Sequence, residues 1–267
     1  MTVRLFTLAV VFSVLAAPTI VQAADGILIT QRIMSGGPPL TIQMQIEPTR
    51  MRTDIVGTNG TVQAMIFDGG QQMLYIVDPA RKTYMEMTKA DADRLGAQMQ
   101  GAIAQMQAQI EKLPPAQRAQ MEAMLKGRGG AAVVPQSTRT GSDKVGRWTC
   151  DKYDLTQAGQ KIGEVCSVDP TVLGFGATDF QVMSQMAAFY SAMAPQMPGQ
   201  LPAISGIGQG GASGFPVRTV MTIQGQTMTT EVVDAGRQTF ADSLFAVPAG
   251  FTKQDLIGVM GGRGTQR

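Results

Sequence analysis

Apolar and polar residues alternate first with a period of two. From Leu40 to Glu47, Ile42, Met44 and Ile46 fall on one face, and Gln43, Gln45 and Glu47 fall on the other. That is the signature of a half-buried strand. A turn at Gly36-Gly37-Pro38-Pro39 separates it from a preceding strand, Ile27 to Met34. Asn59-Gly60 is a strong hairpin signal and joins strands at about 50–56 and 61–67. Asp68-Gly69-Gly70 turns the chain into 72–77. Asp78-Pro79 places a type I turn before 82–87. The result is an antiparallel meander of about six short strands.

The period then changes. Leu95, Met99, Ile103, Met106, Ile110 and Leu113 recur at steps of four and three, which predicts a helix from Lys89 to Leu113. Thr88 stands at its N-cap, with Asp91 three residues on. Pro114-Pro115 stops it, and Pro115 can open a second helix to about Lys126, with Met121, Met124 and Leu125 on its apolar side. Strands resume at about 147–155 and 161–168. A helix over 178–193 follows, with Thr178 and Gln181 spaced as a capping box and Phe180, Met183, Met186, Ala187 and Tyr190 on its apolar side. Residues 195–216 are dense in Gly and Pro and read as a surface loop. Strands at 217–223 and 226–233, hinged at Gly225, complete the order, and the tail 256–267 is expected to be disordered. The fold class is α+β: a long antiparallel sheet whose apolar face is covered by amphipathic helices. Residues 24–255 are expected to form one domain, with a helical hairpin at 89–126 inserted between strands.

The N-terminus adds an address. Arg4 precedes an apolar run from Leu5 to Ala17, Pro18 breaks it, and Val21 and Ala23 fit a cleavage site. This is the pattern of a secretory signal peptide, cleaved after about Ala23. The alternative is an uncleaved anchor, but the run is short for a transmembrane span. The product is expected to be periplasmic in a Gram-negative host. Export places Cys150 and Cys166 where disulfides persist. A three-residue loop at 157–159 would set them opposite each other. The alternation of Tyr153 and Leu155 against Ile162 and Glu164 disagrees by one residue, which a bulge at the turn would reconcile.

Composition removes several chemistries. The 267 residues include 22 basic and 20 acidic side chains, two cysteines and no histidine. Without His there is no Ser-His-Asp or Cys-His centre. The net charge of +2, with no basic block, does not suggest a nucleic-acid surface. No cofactor is expected. Gly206 to Gly211 matches G-x-G-x-x-G only formally, since neither a buried strand nor a helix flanks it. Asp91 with Asp93, and Asp151 with Asp154, are the nearest thing to a carboxylate pair, and nothing in their context marks either as catalytic.

Short phrases carry a family resemblance. Met73 to Asp78 and Lys82 to Met87 form one of them. Asp242 to Phe251 is a second. Gly146, Trp148, Cys150 and Tyr153, followed by Gly159, Lys161, Gly163 and Glu164, are the third. Together they resemble secreted bacterial proteins of the LolA/LppX-like type and the family called domain of unknown function 4412. The resemblance implies a curved, incompletely closed antiparallel barrel with helices across its concave face. In carrier members the space between sheet and helices receives acyl chains. This chain departs from them in its Gly/Pro-rich 195–216 segment and in its 19 methionines.

Methionine fills irregular cores, accepts ligands of varied shape and binds soft metals. Met85, Met87, Leu95, Met99, Ile103, Met106, Phe180, Met183 and Met186 are the candidate lining of a hydrophobic cavity. No metal site is expected, because Met85 and Met87 share a strand face and Met121 and Met124 a helix stripe. The expected function is non-enzymatic binding of an acyl chain of a lipid or lipoprotein. The alternative is a module that docks another periplasmic or outer-membrane protein through helices 89–126 or loop 195–216.

Overall fold

The computed structural model describes residues 23–58, 60–115, 117–118, 135–191, 213–223 and 225–255. The expected signal peptide, the second helix beyond 118, nearly all of loop 195–216 and the tail lie outside the described residues. Six strands open the chain in meander order: β1 Ala23–Met34, β2 Leu40–Ile46, β3 Arg50–Gly57, β4 Gly60–Asp68, β5 Met73–Asp78 and β6 Thr83–Thr88. Helix α1 spans Lys89–Glu111. A second meander follows as β7 Gln136–Val145, β8 Trp148–Gln157 and β9 Gln160–Val168. After helix α2, Gln181–Tyr190, it resumes as β10 Phe215–Ile223 and β11 Gln226–Ala241. A two-residue strand, β12 Thr252–Lys253, ends the order.

These twelve strands form one open, curved sheet, ordered β12-β6-β5-β4-β3-β2-β1-β11-β10-β9-β8-β7. Every pairing among the described residues is antiparallel except β12 on β6. The two meanders join where β1 pairs with β11, from Ala23 opposite Ala241 to Met34 opposite Thr229.

The period-two pattern sorts the two faces. Ile27, Ile29, Ile42, Met44, Ile46, Met51, Phe67 and Leu74 turn to the inner face, which α2 covers, and form one continuous core with it. Val182 and Phe189 of α2 are wholly buried there, and Phe189 meets Phe67 edge to face at 5.4 Å. The outer face has its own cluster, Ala64, Ile66, Val77, Phe240 and Phe245. A strap formed by the segment after β11 covers it. Its 3-10 turn, Asp242–Phe245, is held by Arg50 Nη2 on Asp242 Oδ1 at 2.6 Å. Arg52 Nη1 donates to the Leu244 carbonyl at 3.0 Å, and the Arg50 guanidinium lies 4.8 Å over the Phe245 ring. The strap ends by adding β12 to β6. At Gly26 no Cβ fits, since the Ile46 carbonyl would stand 2.4 Å away and the Phe240 ring 2.8 Å away.

Several expectations change. Strand β7 escapes the alternation pattern because its sequence is polar up to its last residue, the buried Val145. It is an edge strand, pairing only with β8, and its charges and the bulge at Gly141 suit an edge. The β8–β9 turn is Ala158–Gly159, two residues with φ of +51° and +78°, not a three-residue loop. A bulge between Leu155 and Thr156 shifts the register, so Cys166 faces Lys152 and bonds Cys150 diagonally. Tyr153, Leu155 and Val165 then share one outer cluster with Ile162. Over 178–193 the helix is shorter. A 3-10 turn, Ala177–Phe180, precedes α2, and Asp179 rather than Thr178 supplies the local cap, accepting from the Gly176 N–H at 2.6 Å. Ala187 is exposed, and Val182 and Phe189 take the buried positions instead. Strand β11 continues past Val233 to Ala241, because it must span both neighbours at the seam.

Candidate functional site

Helix α1 starts where β6 ends. Thr88 Oγ1 accepts from the Asp91 N–H at 3.1 Å, and Asp91 Oδ2 accepts from the Thr88 N–H at 3.1 Å. This reciprocal box satisfies two donors that a helix start leaves open. The bonds from Thr88 hold the Asp91 carboxyl below the usual carboxylate range. The cap fixes the direction in which α1 leaves the sheet. Ala92 and Gly96 are buried in its first turns, and Leu95 packs on the core. Beyond them the apolar stripe runs off the core. Met99 and Ile103 are half-buried and Met106 is 40% exposed, before Ile110 is buried again.

The nine candidate lining residues therefore divide. Met87, Met183 and Met186 are buried in the core, and Met85, Leu95 and Phe180 pack against it. Met99, Ile103 and Met106 stand outside that cluster on the middle of α1. The first six share one extended core cluster but not one spot: Phe180 lies in the 3-10 turn before α2 and packs on Phe175, which meets Phe215 of β10, far from β6 in the strand order. Sequence reasoning missed Val182 and Phe189, although with Met186 they follow helical spacing. Tyr190 closes the end of α2, edge to face with Phe189 at 5.5 Å. Burial pushes its hydroxyl up to about 12.

A cleft opens at the other end of β5 and β6, with a volume of about 260 Å³. Ile76, Val77 and Met85 give it apolar wall, and Asp78, Arg81 and Tyr84 give it polar rim. Met85 is the one candidate lining residue it contains.

The carboxylates are engaged elsewhere. Asp151 pairs with Arg139 at 2.6 Å, Asp154 with Lys161 at 2.8 Å, and Asp93 with Lys89. Lys161 and Lys152 both hold Glu164, lowering its carboxyl below the ordinary value. Among the described residues no group of three or more His, Cys, Asp or Glu side chains could hold a metal ion. Also among them, no helix is long and apolar enough to cross a membrane.

The family described as "Domain of unknown function (DUF4412)" matches residues 88–251, from the cap of α1 to the residue before β12. The chain belongs to that family. The DUF4412 match takes in the disulfide hairpin and the closing strap phrase but leaves out nearly all of β1 to β6, including the phrase at 73–87. No curated protein matches the chain. Among solved structures, an uncharacterized conserved protein from Thermus thermophilus is 7% identical, with a TM-score of 0.43, covering 88% of this chain and 91% of that one. A PNGF-II structure is 10% identical at a TM-score of 0.36, covering 89% of this chain and 32% of the other. The MucA/MucB complex of Pseudomonas aeruginosa is 10% identical at a TM-score of 0.37, covering 84% of this chain and 56% of the other. The chain thus spans about a third and just over half of the last two. Similarity at this level carries nothing about function, and it leaves the LolA-like part of the resemblance open.

Proposed function

We propose that this DUF4412 protein is an exported, periplasmic, non-enzymatic binder of a hydrophobic ligand, an acyl chain of a lipid or lipoprotein, held between a LolA-like curved sheet and its helices. One observation carries the reading: the stripe of α1 leaves the core at Leu95 and continues through Met99 and Ile103 to the exposed Met106. An amphipathic helix normally buries its whole apolar stripe. Here α2 packs on the inner face of the sheet, and α1 has apolar surface left over beyond Leu95. Flexible thioethers suit a chain of variable length and bend.

The test is native mass spectrometry of the protein secreted by its own host and purified without detergent, followed by lipid extraction. A reproducible co-purifying mass in the lipid range supports the reading, and Met99→Ser with Met106→Ser should then reduce its occupancy severalfold. A clean apo mass, together with no binding of a hydrophobic fluorescent probe, overturns it. That outcome moves the stripe to the other reading, a docking surface for a partner protein through 89–126 or 195–216.

A further inference from the structure

Five hairpin tips stand side by side along one rim of the sheet. They are β5–β6, β3–β4, β1–β2, β10–β11 and β8–β9, following the strand order. The middle three differ from the flanking two. No Asp, Glu, Lys or Arg occurs between Arg32 and Glu47, between Asp54 and Asp68, or between Arg218 and Glu231. Those three runs are the β1–β2, β3–β4 and β10–β11 hairpins. They are neighbours in space, because β4-β3-β2-β1-β11-β10 is a continuous stretch of the sheet. The charge-free rim is thus about 24 Å wide, at the usual strand spacing. Distant parts of the chain build it.

The same rim exposes apolar side chains. Met34 and Leu40 are each 39% exposed, and Val62 is 54% exposed. They sit at matching heights: Met34 pairs with Thr229 beside the β10–β11 tip, Ile33 pairs with Leu40, and Thr41 pairs with Val56 beside the β3–β4 tip. Two exposed cations lie near them, one below the central tips and one at the side. Arg32 lies on β1 just below the tips, in register across from Glu231 of β11, and Lys82 lies in the β5–β6 turn next to the Arg81–Asp78 pair.

We infer that this rim seats on the surface of a lipid bilayer containing anionic headgroups. Three physical arguments favour that occupant. Shallow insertion dehydrates whatever stands on the rim, and charged groups resist it strongly. Here nothing charged lies between the tips and the first few ångströms of acyl boundary. The turn peptides keep free N–H and C=O groups, which the wet headgroup layer can satisfy and the hydrocarbon cannot. Such a surface needs to enter only about 5–10 Å. Arg32 stands back from the apolar tips and Lys82 sits in the flanking β5–β6 tip, both outside the charge-free runs and placed where anionic headgroups attract basic side chains. A protein partner fits less well, since a stable interface needs about 800 Å² of continuous surface per side, and this rim is a row of separate points. The inference stands apart from the acyl-chain reading, for it concerns the rim and not α1.

Vesicle flotation tests it. The purified protein is mixed with phosphatidylcholine vesicles, with and without phosphatidylglycerol. The protein is expected to float with the mixed vesicles. Met34→Ser, Leu40→Ser and Val62→Ser combined should lower the bound fraction at least about tenfold. These side chains are exposed, so circular dichroism of the triple variant should match the parent. Arg32→Gln with Lys82→Gln should weaken binding and remove its salt dependence. Leu40→Trp supplies a reporter, because the single native tryptophan, Trp148, is buried. Its added emission should shift to the blue with vesicles. Failure of the parent to float with either vesicle overturns the inference, as does a triple variant that floats like the parent. Flotation needs no co-purifying lipid, so this result and the mass-spectrometric one can fail separately.

Discussion

Tyr190 shows how much one side chain at the end of a short helix contributes. Its ring closes α2 against Phe189, and its hydroxyl stays protonated to about pH 12, whereas the unfolded chain releases that proton near 10. A folded-state value above the unfolded one gives stability that is complete below pH 10 and drains away as pH rises toward 12. The expected loss is about 2 kcal/mol across that window, allowing for partial solvent screening. Urea midpoints measured at pH 8 and pH 11.5 (roughly the ends of the useful window) should fall steeply for the parent and less for Tyr190→Phe. Equal slopes would show that burial does not hold the phenol. The residue is legible in the sequence as part of an apolar stripe. Phe189, its neighbour, is not, because the stripe drawn by spacing alone runs through Ala187. A 3-10 turn at Ala177–Phe180 rotates the helix entry, and no sequence period reports that rotation.

At the scale of elements, alternation is the reliable guide. It locates β1 to β6, although β4 and β5 bury residues on both faces where the strap covers the outer one. It fails at β7, where all but the last residue, Val145, is polar and half the backbone is an open edge. The Cys150–Cys166 hairpin falls between these cases. Pairing follows from two cysteines in a chain expected to be exported, but the register depends on a bulge that spacing alone only suggests. The bridge closes a separation of 16 residues, worth about 3 kcal/mol in the chain-entropy view. Reduction should therefore lower unfolding free energy by about that amount while leaving the far-ultraviolet spectrum of the sheet unchanged. Matched urea curves with and without reductant measure it, and a lost spectrum would mean that the bridge specifies the fold as well as stabilising it. The candidate lining is half legible for a similar reason. Helical spacing gives the face of α1, but only the tertiary structure tells where that face leaves the core.

The whole molecule depends on the strap as much as on the helices. Phe245 seats beneath the Arg50 guanidinium, against Phe240 at 6.0 Å. Phe245→Ala is expected to cost about 3 kcal/mol, as buried aromatic truncations do. Its wider signature is amide exchange: β4, β5 and β6 should lose protection while β7, β8 and β9 keep theirs. Hydrogen exchange read by mass spectrometry tests this, and uniform loss across the sheet would contradict it.

The seam between β1 and β11 has a consequence for how the chain finds this arrangement. The first meander, and the β7–β8–β9 and β10–β11 parts of the second, can form from neighbouring hairpins with short loop closures, while the β9–β10 pairing must wait for the long segment that carries α2. The ladder that joins the two meanders unites Ala23 with Ala241, so the first strand made waits for nearly the last. Closing so long a loop is entropically costly, and such pairings slow folding. Until the halves dock, β1 and β11 each present an unpaired edge. Folding should accordingly be a docking of two preformed halves, with the sixteen-residue β11, already paired to β10 on one side, closing onto β1 last.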